Sequence, residues 1–527
     1  MIIMKDIIIM AFKNGVVCMK KLNKKEINDL YEAGPEAVGN VINTLIDYIN
    51  EQKESIISQQ RIISAQQKQI NQLKERVKKL EEQINKNSKN SSKPPSTDGF
   101  NKIKSLRKKG LKRNGGQKGH KGHTLHQVDN PDKIVTHHAT TCKLCDFSLN
   151  NANPVNHEKR QVIDIEVRQV VTEHQVEKTI CPRCGTHNKG VFPEDVKSPV
   201  QYGSEVSALA TYLNYYQLLP YERICDLFED IFGIRPSEAT LINANTSIYN
   251  KLEVVEDRIK ELIARSSVVH FDETGLSVKG KTNWLHSAST DNLTYYALHK
   301  KRGQIAMNDI GLLPEYQGVA VHDFWKSYLT YSNCQHSLCN AHLLRELTGI
   351  YENDQKQKWA QEMIHLLCEI KDAVDDTKEN TDKTSLTPLQ ISFFQGVYQQ
   401  VLDRGFMLNE KLDKEKAPEE PSKKRGRKKQ SKAKNLLDRF EKNADDILRF
   451  MVDFNVPFDN NLAERDLRMV KVKEKISGTF RSEQGANMFA RIRGYISTVR
   501  KNNKSVIKAI KDAFTGNPDL PEILDTS

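Results

Sequence analysis

Residues Ser266 to Val278 read SSVVHFDETGLSV, and this stretch decides the fold class of the chain. Two further stretches of short apolar runs and polar turns follow it, NWLHSASTDNLTYYAL and GVAVHDFWKSYL. All three read as strands, and the residues from Asn340 to Tyr351 read as a helix. Strands followed by helices in this order predict an α/β domain with a central sheet.

Two of these strands lead into an aspartate, Asp272 after VVHF and Asp323 after VAVH. Because alternate side chains of a strand share a face, His270 and Asp272 lie together, opposite Phe271 and Glu273. We therefore expect Asp272 and Asp323 at adjacent strand ends, with Glu273 pointing away from them. Either aspartate alone is also typical of an ordinary turn.

A third carboxylate lies in the stretch from Pro457 to Ser482, PFDNNLAERDLRMVKVKEKISGTFRS. The pattern predicts a helix whose first turns carry Glu464, with Arg468, Lys471 and Lys475 on the same face. An acid followed by a basic stripe suits a site that holds a metal ion beside a polyanion. The alternative is a charged helix that only faces water.

Three carboxylates without clustered histidine or cysteine ligands suit a hard cation, magnesium or manganese. Two such ions roughly 3.5–4 Å apart activate a water or a 3′-hydroxyl and stabilise the leaving oxygen of a phosphodiester. The sequence therefore indicates an oxygen-only metal site made by Asp272, Asp323 and Glu464.

The bulk composition favours a polyanionic partner. The 527 residues include 80 Lys and Arg against 68 Asp and Glu, a net charge of +12, and this length predicts roughly three or four modules. No apolar run approaches the roughly 20 residues of a membrane helix. Residues 1–40 form an N-terminal segment that lacks the cleavage site of a signal peptide, and Met19 is an alternative start.

Residues 41–86 predict a coiled coil. A β-branched residue recurs every seven positions, and Leu45, Leu73 and Leu80 occupy matching d positions. This pattern favours a two-stranded coiled coil, hence self-association as a dimer, over a single helix packed on its own domain. The recurring positions are Ile42, Ile49, Ile56, Ile63, Ile70, Val77 and Ile84.

Residues 87–130 predict a basic, flexible DNA-binding arm. Between Lys86 and Lys121 the chain has twelve Lys or Arg and one acid, Asp98, with too few apolar residues to fold alone. Contacts of such an arm with phosphates are strongly salt-dependent, and a solvated linker is the alternative. The proposed phosphate ligands are Lys108, Lys109, Lys112, Arg113, Lys118 and Lys121.

Residues 131–198 predict a zinc-binding β module. Two Cys-x-x-Cys knuckles, Cys142 with Cys145 and Cys181 with Cys184, offer four thiolates to a structural zinc. The segment between them, QVIDIEVRQVVTEHQVEKTI, alternates as a β-hairpin or a pair of strands would. Two redox pairs are the alternative.

Residues 199–262 read as helical. A helix from Tyr221 to Ile231, a break, and a second helix capped by Ser237 resemble a helix-turn-helix that binds DNA. Helical hairpins of this kind also occur without DNA.

The remaining chain divides into a first part of the core at residues 263–351, a charged helical insertion at 352–456 and a second part of the core at 457–527. The insertion contains a basic run, Lys423 to Lys432, that reads as a flexible loop and a further phosphate contact.

Long motifs carry a resemblance to insertion sequence 66 family transposases. In the core they are FDET, VHDFWKSY, SLCNAHLLREL and VPFDNNLAERDLRMVKVKEKISGTFRSEQGA. Upstream they are KNSSKPPSTDG, GGQKGHKGHTL, CPRCG and YLNYYQLLPYERICDLF. The resemblance covers nearly the whole chain from about Leu30.

The resemblance implies a bacterial DDE transposase with a ribonuclease-H-like core interrupted by a helical insertion. Carried over residue by residue, Asp272, Asp323 and Glu464 match its catalytic triad. The expected activity is cleavage at terminal inverted repeats and transfer of the 3′-hydroxyl ends to target DNA, in the cytoplasm and associated with the nucleoid, with or without accessory proteins. Two alternatives remain open: an inactive DNA-binding relative, and a nuclease that does not join strands.

Four other core side chains are weaker candidates. Arg345 and Arg481 are expected to contact the scissile phosphate or flanking DNA. Trp325 and Tyr328 either stack on an unpaired base or are buried in the core.

Cys339 and His342, in Cys-Asn-Ala-His, form a pair after Asp323. With two ligands in view, packing or DNA contact is the favoured role for them over metal binding.

Overall fold

The structure is a computed structural model that describes residues 8–13, 16–21, 23–91, 125–415 and 430–521. The chain divides into two compact units, Met1–Asn87 and Ser88–Ser527. The residues of the basic arm proposed to bind phosphate, 108–121, lie outside the described residues, as does most of the basic run that begins at Lys423.

The first unit contains one antiparallel strand pair and two helices. Its short helix begins at Asn23, whose side chain accepts hydrogen bonds from the backbone of Lys25 and Glu26, while the Glu26 carboxylate accepts from the Asn23 N–H. This reciprocal capping satisfies backbone donors that a helix start leaves free. The elements are β1 (Ile8–Lys13), β2 (Val16–Lys21), α1 (Lys24–Glu32) and α2 (Pro35–Ile84).

Helix α2 runs for 50 residues without a buried side chain, which corresponds to a length of about 75 Å. The seven β-branched residues that recur from Ile42 to Ile84 are 43% to 81% exposed. A stripe of this length and polarity is typical of a helix that pairs with another. The long helix is as predicted, and its pairing stays a prediction.

The second unit begins with a mostly irregular region. Among the residues of this region that the structure describes, only Lys178–Ile180 (β3) and His187–Lys189 (β4) form strands, and they pair antiparallel. The hairpin predicted over residues 161–180 is therefore wrong for all but its last three residues. Alternation alone misled the prediction, because Val162 and Ile165, on opposite faces of the segment, are 94% and 85% exposed and no core covers either face.

A helical region follows, as predicted. Helix α4 ends at Gly233 with φ 67°, a left-handed conformation that glycine adopts readily. The Ser237 side chain accepts the Thr240 N–H and begins the next helix, α5. The elements are α3 (Ser204–Thr211), which continues as a π-helix (Tyr212–Tyr216), α4 (Tyr221–Phe232), α5 (Glu238–Lys251) and α6 (Glu253–Ala264).

The centre of the second unit is a mixed five-stranded sheet in the order β7-β6-β5-β8-β9. The first three strands are antiparallel, and β8 and β9 run parallel to β5. The predicted α/β character is confirmed. The elements are β5 (Val268–Val278), β6 (Lys281–Ser289), β7 (Thr294–His299), α7 (Gln304–Ile310), β8 (Val319–His322) and β9 (Gln335–Leu338).

Two details of the sheet differ from the sequence analysis. The stretch NWLHSASTDNLTYYAL contains two strands, because residues 290–293 turn the chain and the Thr290 N–H donates to the Leu293 carbonyl. Strand β9 was not predicted. Its four residues, QHSL, are mostly polar, so neither alternation nor an apolar run marks it.

A helical segment follows the sheet and forms a second hydrophobic core, which also includes Leu338 of β9. Trp359, Leu437, Phe440 and Phe450 lie at its centre and are at most 2% exposed. Fully burying such side chains contributes about 1.5–3 kcal/mol each. The helices are α8 (Asn340–Asn353), α9 (Lys358–Asn380), α10 (Pro388–Glu415), α11 (Lys432–Lys442) and α12 (Ala444–Val452).

The chain then returns to the sheet. Phe480 and Phe489 belong to the same hydrophobic core as Phe271 and Leu285 of the sheet. The three final helices thus complete the core that β5 begins. They are α13 (Asn461–Ser477), α14 (Glu483–Lys501) and α15 (Val506–Phe514). Among the described helices, none has the length and hydropathy to cross a membrane.

Candidate active site

Asp272 lies in the middle of β5, opposite Ser287 of β6. The parallel pairing with β8 covers only Val268 to His270, so Asp272 is the second residue beyond it. The prediction that Asp272 ends its strand is therefore wrong, because the antiparallel partner β6 extends β5 to Val278. Asp272 nevertheless lies at the edge where β8 ends.

Asp323 directly follows β8, and its Oδ1 accepts the Trp325 N–H at 2.9 Å. Asp272 is held in a similar way, since its Oδ1 accepts the Glu273 N–H at 2.8 Å. Each aspartate thus has one oxygen held by a backbone N–H. In the parallel pairing, His270 lies opposite Val321, so Asp272 and Asp323 each lie two residues beyond the same pair. The charge of Asp323 contributes to the raised pKa of Asp272, which places the two carboxylates near each other.

The carboxylates influence one another. Burial raises the pKa of Asp272 well above its usual value, and the negative charges of Glu273, Asp323 and Glu464 raise it further. Like charges within a few ångströms disfavour the ionised form. Burial is the largest cause and the adjacent Glu273 is the next, while Asp323 and Glu464 contribute less. The oxygens of Asp272, Asp323 and Glu464 do not all lie within 4.8 Å of one another.

Glu273 points to the other face of β5, as expected from the strand period. It is buried and accepts hydrogen bonds from Arg302 Nε at 2.7 Å and from the Tyr328 hydroxyl. Burial raises the pKa of Glu273, while Tyr328 and Arg302 counteract the rise. Each carboxylate oxygen of Glu273 therefore already accepts a hydrogen bond from a protein side chain.

Glu464 lies in the first turn of α13, as predicted. Its Oε1 atom is buried and, within the part of the chain that the structure describes, has no hydrogen-bond partner. Leaving a buried charged acceptor unpaired costs more than about 1–3 kcal/mol. A cation would offset this cost, so Glu464 fits a metal ligand.

Asn460, just before α13, joins three segments at this site and is 1% exposed. Its Oδ1 lies 2.8 Å from His270 Nδ1, and its Nδ2 donates to the Phe271 carbonyl at 2.8 Å. Its backbone N–H donates to Cys339 Sγ at 3.2 Å. The start of the Glu464 helix is therefore attached to β5 within two residues of Asp272.

Asp466 attaches the same helix to the end of β6, the start of β7 and the end of α14. Its Oδ2 accepts from Lys501 Nζ at 2.8 Å, from Ser289 Oγ at 2.7 Å and from Thr294 Oγ1 at 3.2 Å. With Asn460, this network holds α13 at both ends of its first two turns. Side chains held by such outer hydrogen bonds keep the geometry that a reactive site needs.

Cys339 and His342 also converge on Glu464, which the sequence analysis did not foresee. The sulfur, one ring nitrogen and one carboxylate oxygen all lie within 4.8 Å of one another, and this is the one such trio of metal-capable groups among the described residues. Burial raises the pKa of the Cys339 thiol to about 12, so it is neutral without a cation. The Cys-x-x-His spacing of Cys339 and His342 is visible in the sequence. Glu464, the third member of the trio, lies far away along the chain, and no spacing connects it to them.

The basic face of α13 is only partly free. Arg468 and Lys475 are exposed, as is Arg481 beyond the helix. Lys471, by contrast, donates to the Gly275 carbonyl of β5 and to Glu474. Arg345 of α8 is half-buried. Three of the five cations proposed in the core thus remain fully presented to a polyanion.

The two aromatic candidates, Tyr328 and Trp325, differ in how deeply they are buried. Tyr328 is 2% exposed and its hydroxyl donates to Glu273, so it is a core residue rather than a base-stacking platform. Trp325 is half-buried and lies under the Arg302 guanidinium at 3.7 Å. For both, packing explains the observed contacts.

Both cysteine knuckles form turns of the same kind. The Cys142 N–H donates to the Phe147 carbonyl, and the Cys181 N–H donates to the Thr186 carbonyl, each at 2.9 Å. The four sulfurs do not gather within 4.8 Å in the described chain. The four sulfurs therefore do not surround a metal position here, and the zinc site stays a prediction.

Residues 199–488 match the family model of the Transposase IS66 family, more than half of the chain. The chain belongs to this family. The matched region contains Asp272, Asp323 and Glu464, and the resemblance drawn from the motifs is confirmed. Residues 42–126 of this transposase match a family of unknown function, DUF6444. No curated protein matches the chain.

The negative charges around Asp272 lead to a prediction about the stability of the transposase. Asp272→Asn is expected to raise the free energy of unfolding by about 0.5–2 kcal/mol at neutral pH, the range for removing an unfavourable charge. The raised pKa of Asp272 means that the folded state holds this proton more tightly than the unfolded state. Its unfavourable contribution therefore grows as pH rises above the unfolded pKa and vanishes below it.

Urea unfolding of both proteins at pH 7 and pH 3.5 measures this effect. The increase in the free energy of unfolding caused by Asp272→Asn should be present at pH 7 and smaller at pH 3.5. A loss of stability at pH 7 would contradict the crowding of the site. Asp309→Asn, which changes an exposed aspartate, is the matched control.

Proposed function

We propose that this transposase cleaves the phosphodiester bond at the ends of an insertion sequence and joins the 3′-hydroxyl ends to target DNA. Asp272, Asp323 and Glu464 are its catalytic, metal-binding residues. The observation that carries the proposal is that Asp272, buried on β5, lies near enough to Asp323 and Glu464 for their negative charges to add to the rise in its pKa that burial and Glu273 cause. A carboxylate whose pKa is strongly raised by burial together with nearby charges is a candidate for a reactive site.

The donor set suits magnesium or manganese, because hard cations prefer carboxylate oxygens. The unpaired Oε1 of Glu464 and the repulsion at Asp272 are what a divalent cation would relieve. When bound, two such ions activate the attacking oxygen and stabilise the leaving oxygen.

The residues of the chain supply orientation. Backbone N–H groups hold one oxygen of Asp272 and one of Asp323, so the other oxygen of each can face the reacting phosphate. Asn460 and Asp466 hold the helix that brings Glu464 to them. Fixed geometry of this kind lowers the barrier by positioning the reacting groups before the reaction starts.

The proposal extends to the fold. We infer a ribonuclease-H-like core interrupted by a helical insertion. Support comes from the mixed sheet, from two candidate acids on its neighbouring strands, and from the return of the chain to the first hydrophobic core after α12. The proposed insertion shares its hydrophobic core with Leu338 of β9, so it packs against the last strand of the sheet.

DNA is the proposed partner of the exposed cations. Arg468, Lys475 and Arg481 lie on or just after the helix of Glu464, so they are placed to bind the backbone of the DNA end beside the metals. The net charge of +12 adds attraction over a longer range. Binding of the terminal repeats by the basic arm and by the α4–α5 pair should weaken steeply as salt rises.

Pairing of α2 with a second copy is the proposed basis of the dimer. Ile56→Asp combined with Ile63→Asp is expected to convert a dimer of about twice 60.3 kDa into a monomer at micromolar concentration. Both side chains lie on the exposed apolar stripe, and a buried charge in each of two a layers on both chains opposes pairing. Light scattering after size exclusion measures the mass.

The matched control adds the same charges outside the stripe, with Ser58→Asp and Ala65→Asp, and should leave the dimer intact. Equal masses for the two double variants and the unchanged transposase would contradict pairing through the stripe.

The decisive assay combines the purified transposase, DNA that carries the element ends and a supercoiled target, with magnesium or manganese. We expect cleaved ends and joined product, and neither in the presence of a chelator. Cleavage of the ends without joining from pre-cut ends would favour a nuclease. Specific binding of the ends without either product would favour an inactive DNA-binding relative.

A further inference from the structure

We propose that Cys339, His342 and Glu464 form a second metal site, for a zinc-class divalent cation, beside the proposed magnesium site. Cys339 immediately precedes α8 and His342 lies in its first turn, while Glu464 lies in the first turn of α13. Two helix starts therefore bring three different ligand types together.

The distances fit a tetrahedral cation. His342 Nδ1 and Glu464 Oε1 are 3.7 Å apart, which is beyond a hydrogen bond. Nitrogen and oxygen ligands of zinc lie about 2.1 Å from the metal, so two of them on a tetrahedron are about 3.4 Å apart. Cys339 Sγ lies within 4.8 Å of one ring nitrogen of His342 and one carboxylate oxygen of Glu464, so a contraction of a few tenths of an ångström to about 1 Å forms the site.

The two facing atoms lack hydrogen-bond partners in the described structure. His342 Nδ1 and Glu464 Oε1 are both buried, and neither has a hydrogen-bond partner within the described ranges. Native proteins rarely leave buried polar atoms unpaired, and a bound ion satisfies some of those that lack a protein partner. A single cation would satisfy both atoms at once.

Cys339 decides the kind of cation. A thiolate and an imidazole are softer ligands than carboxylates alone and select zinc-class ions over magnesium. The Asn460 N–H already points at the sulfur at 3.2 Å, as outer hydrogen bonds to metal-bound sulfur do. Since the thiol is neutral without a cation, binding transfers its proton to solvent.

Because Glu464 belongs to both donor sets, a zinc-class cation would take this carboxylate from the proposed magnesium site. Zinc is therefore an inhibitor of cleavage. This consequence rests on the proposed function, whereas the binding site itself does not.

The binding test measures the zinc content of the full-length transposase after saturation with zinc and removal of excess. Cys339→Ser and His342→Gln should each hold one equivalent less than the unchanged protein. Cys334→Ser, which changes another buried cysteine outside the trio, should hold the full amount. Comparison with this control removes any contribution of the cysteine knuckles.

Equal zinc content in all four proteins would overturn the site. Cys339 is buried, so its variant could misfold. The half-buried His342 provides the independent variant, and circular dichroism confirms that each variant is folded. Zinc content that falls in His342→Gln but not in folded Cys339→Ser would also overturn the trio.

The inhibition test compares end cleavage in magnesium with and without zinc. We expect a loss of about tenfold or more in the unchanged protein and at least threefold less inhibition in His342→Gln. If the variants bind less zinc but zinc fails to inhibit the unchanged protein, the zinc site is kept and the role of Glu464 in cleavage is overturned. If Glu464→Gln abolishes cleavage but all proteins hold the same amount of zinc, the zinc site is overturned and the proposed function is kept.

Discussion

Glu464→Gln is expected to lower the rate of end cleavage by about 10³-fold or more, with DNA binding changed by less than about twofold. The substitution keeps the size of the side chain and removes its charge, so the proposed metal site loses one of three anionic ligands. Losses of this size are typical when one member of a group that acts as a unit is removed. Single-turnover cleavage of labelled end DNA measures the rate, and a gel-shift titration measures binding.

Retained binding is part of the prediction because Glu464 contributes no positive charge to the DNA interface. The matched control is Glu483→Gln, since Glu483 also lies in the first turn of a helix, α14, but is exposed and pairs with Lys300. This control should cleave at a rate within about twofold of the unchanged transposase. Cleavage by Glu464→Gln within tenfold of normal would remove Glu464 from the catalytic set.

Asn460→Ala is expected to lower the free energy of unfolding by about 2–4 kcal/mol and to slow cleavage. The substitution leaves His270 Nδ1 and the Phe271 carbonyl without their partner in a buried place. Each buried group left unpaired costs about 1–3 kcal/mol. Urea unfolding measures the stability.

The catalytic effect of Asn460→Ala separates positioning from plain stability. Asn460 joins the start of α13 to β5, so its loss should lower kcat by about 10-fold or more and leave DNA affinity unchanged. The neighbouring Asn461→Ala is the control, because the Asn461 side chain bonds only Asp459, two residues away. A folded Asn460→Ala protein with normal kcat would limit Asn460 to a structural role.

Local patterns predicted the elements well wherever the cause of an element is itself local. Ser237 and Glu464 both lie at the start of the helices expected for them, because capping and helical periodicity depend on residues within one or two turns. The opposite orientations of Asp272 and Glu273 followed from the period of a strand, which holds in any sheet.

Predictions failed where a partner strand decides the outcome. β5 continues past Asp272 because β6 pairs with it up to Val278, and nothing in VVHFDET itself records that partner. The alternating segment 161–180 has the pattern of a hairpin, but a strand forms only at Lys178–Ile180, where β4 provides the pairing. Strand propensity describes a fit to a neighbour rather than a preference of the backbone alone.

The sequence by itself determined the family, the α/β character of the core and the three candidate acids, because long motifs and local periodicity are carried by neighbouring residues. Only the tertiary structure decided that Asn460 attaches the Glu464 helix to β5, and that Cys339 and His342 meet Glu464. The contacting residues lie more than a hundred positions apart along the chain. Packing of α13 on β5 and β6, together with the contact of the Asn460 N–H with Cys339 just before α8, brings them together, and no local pattern encodes that packing.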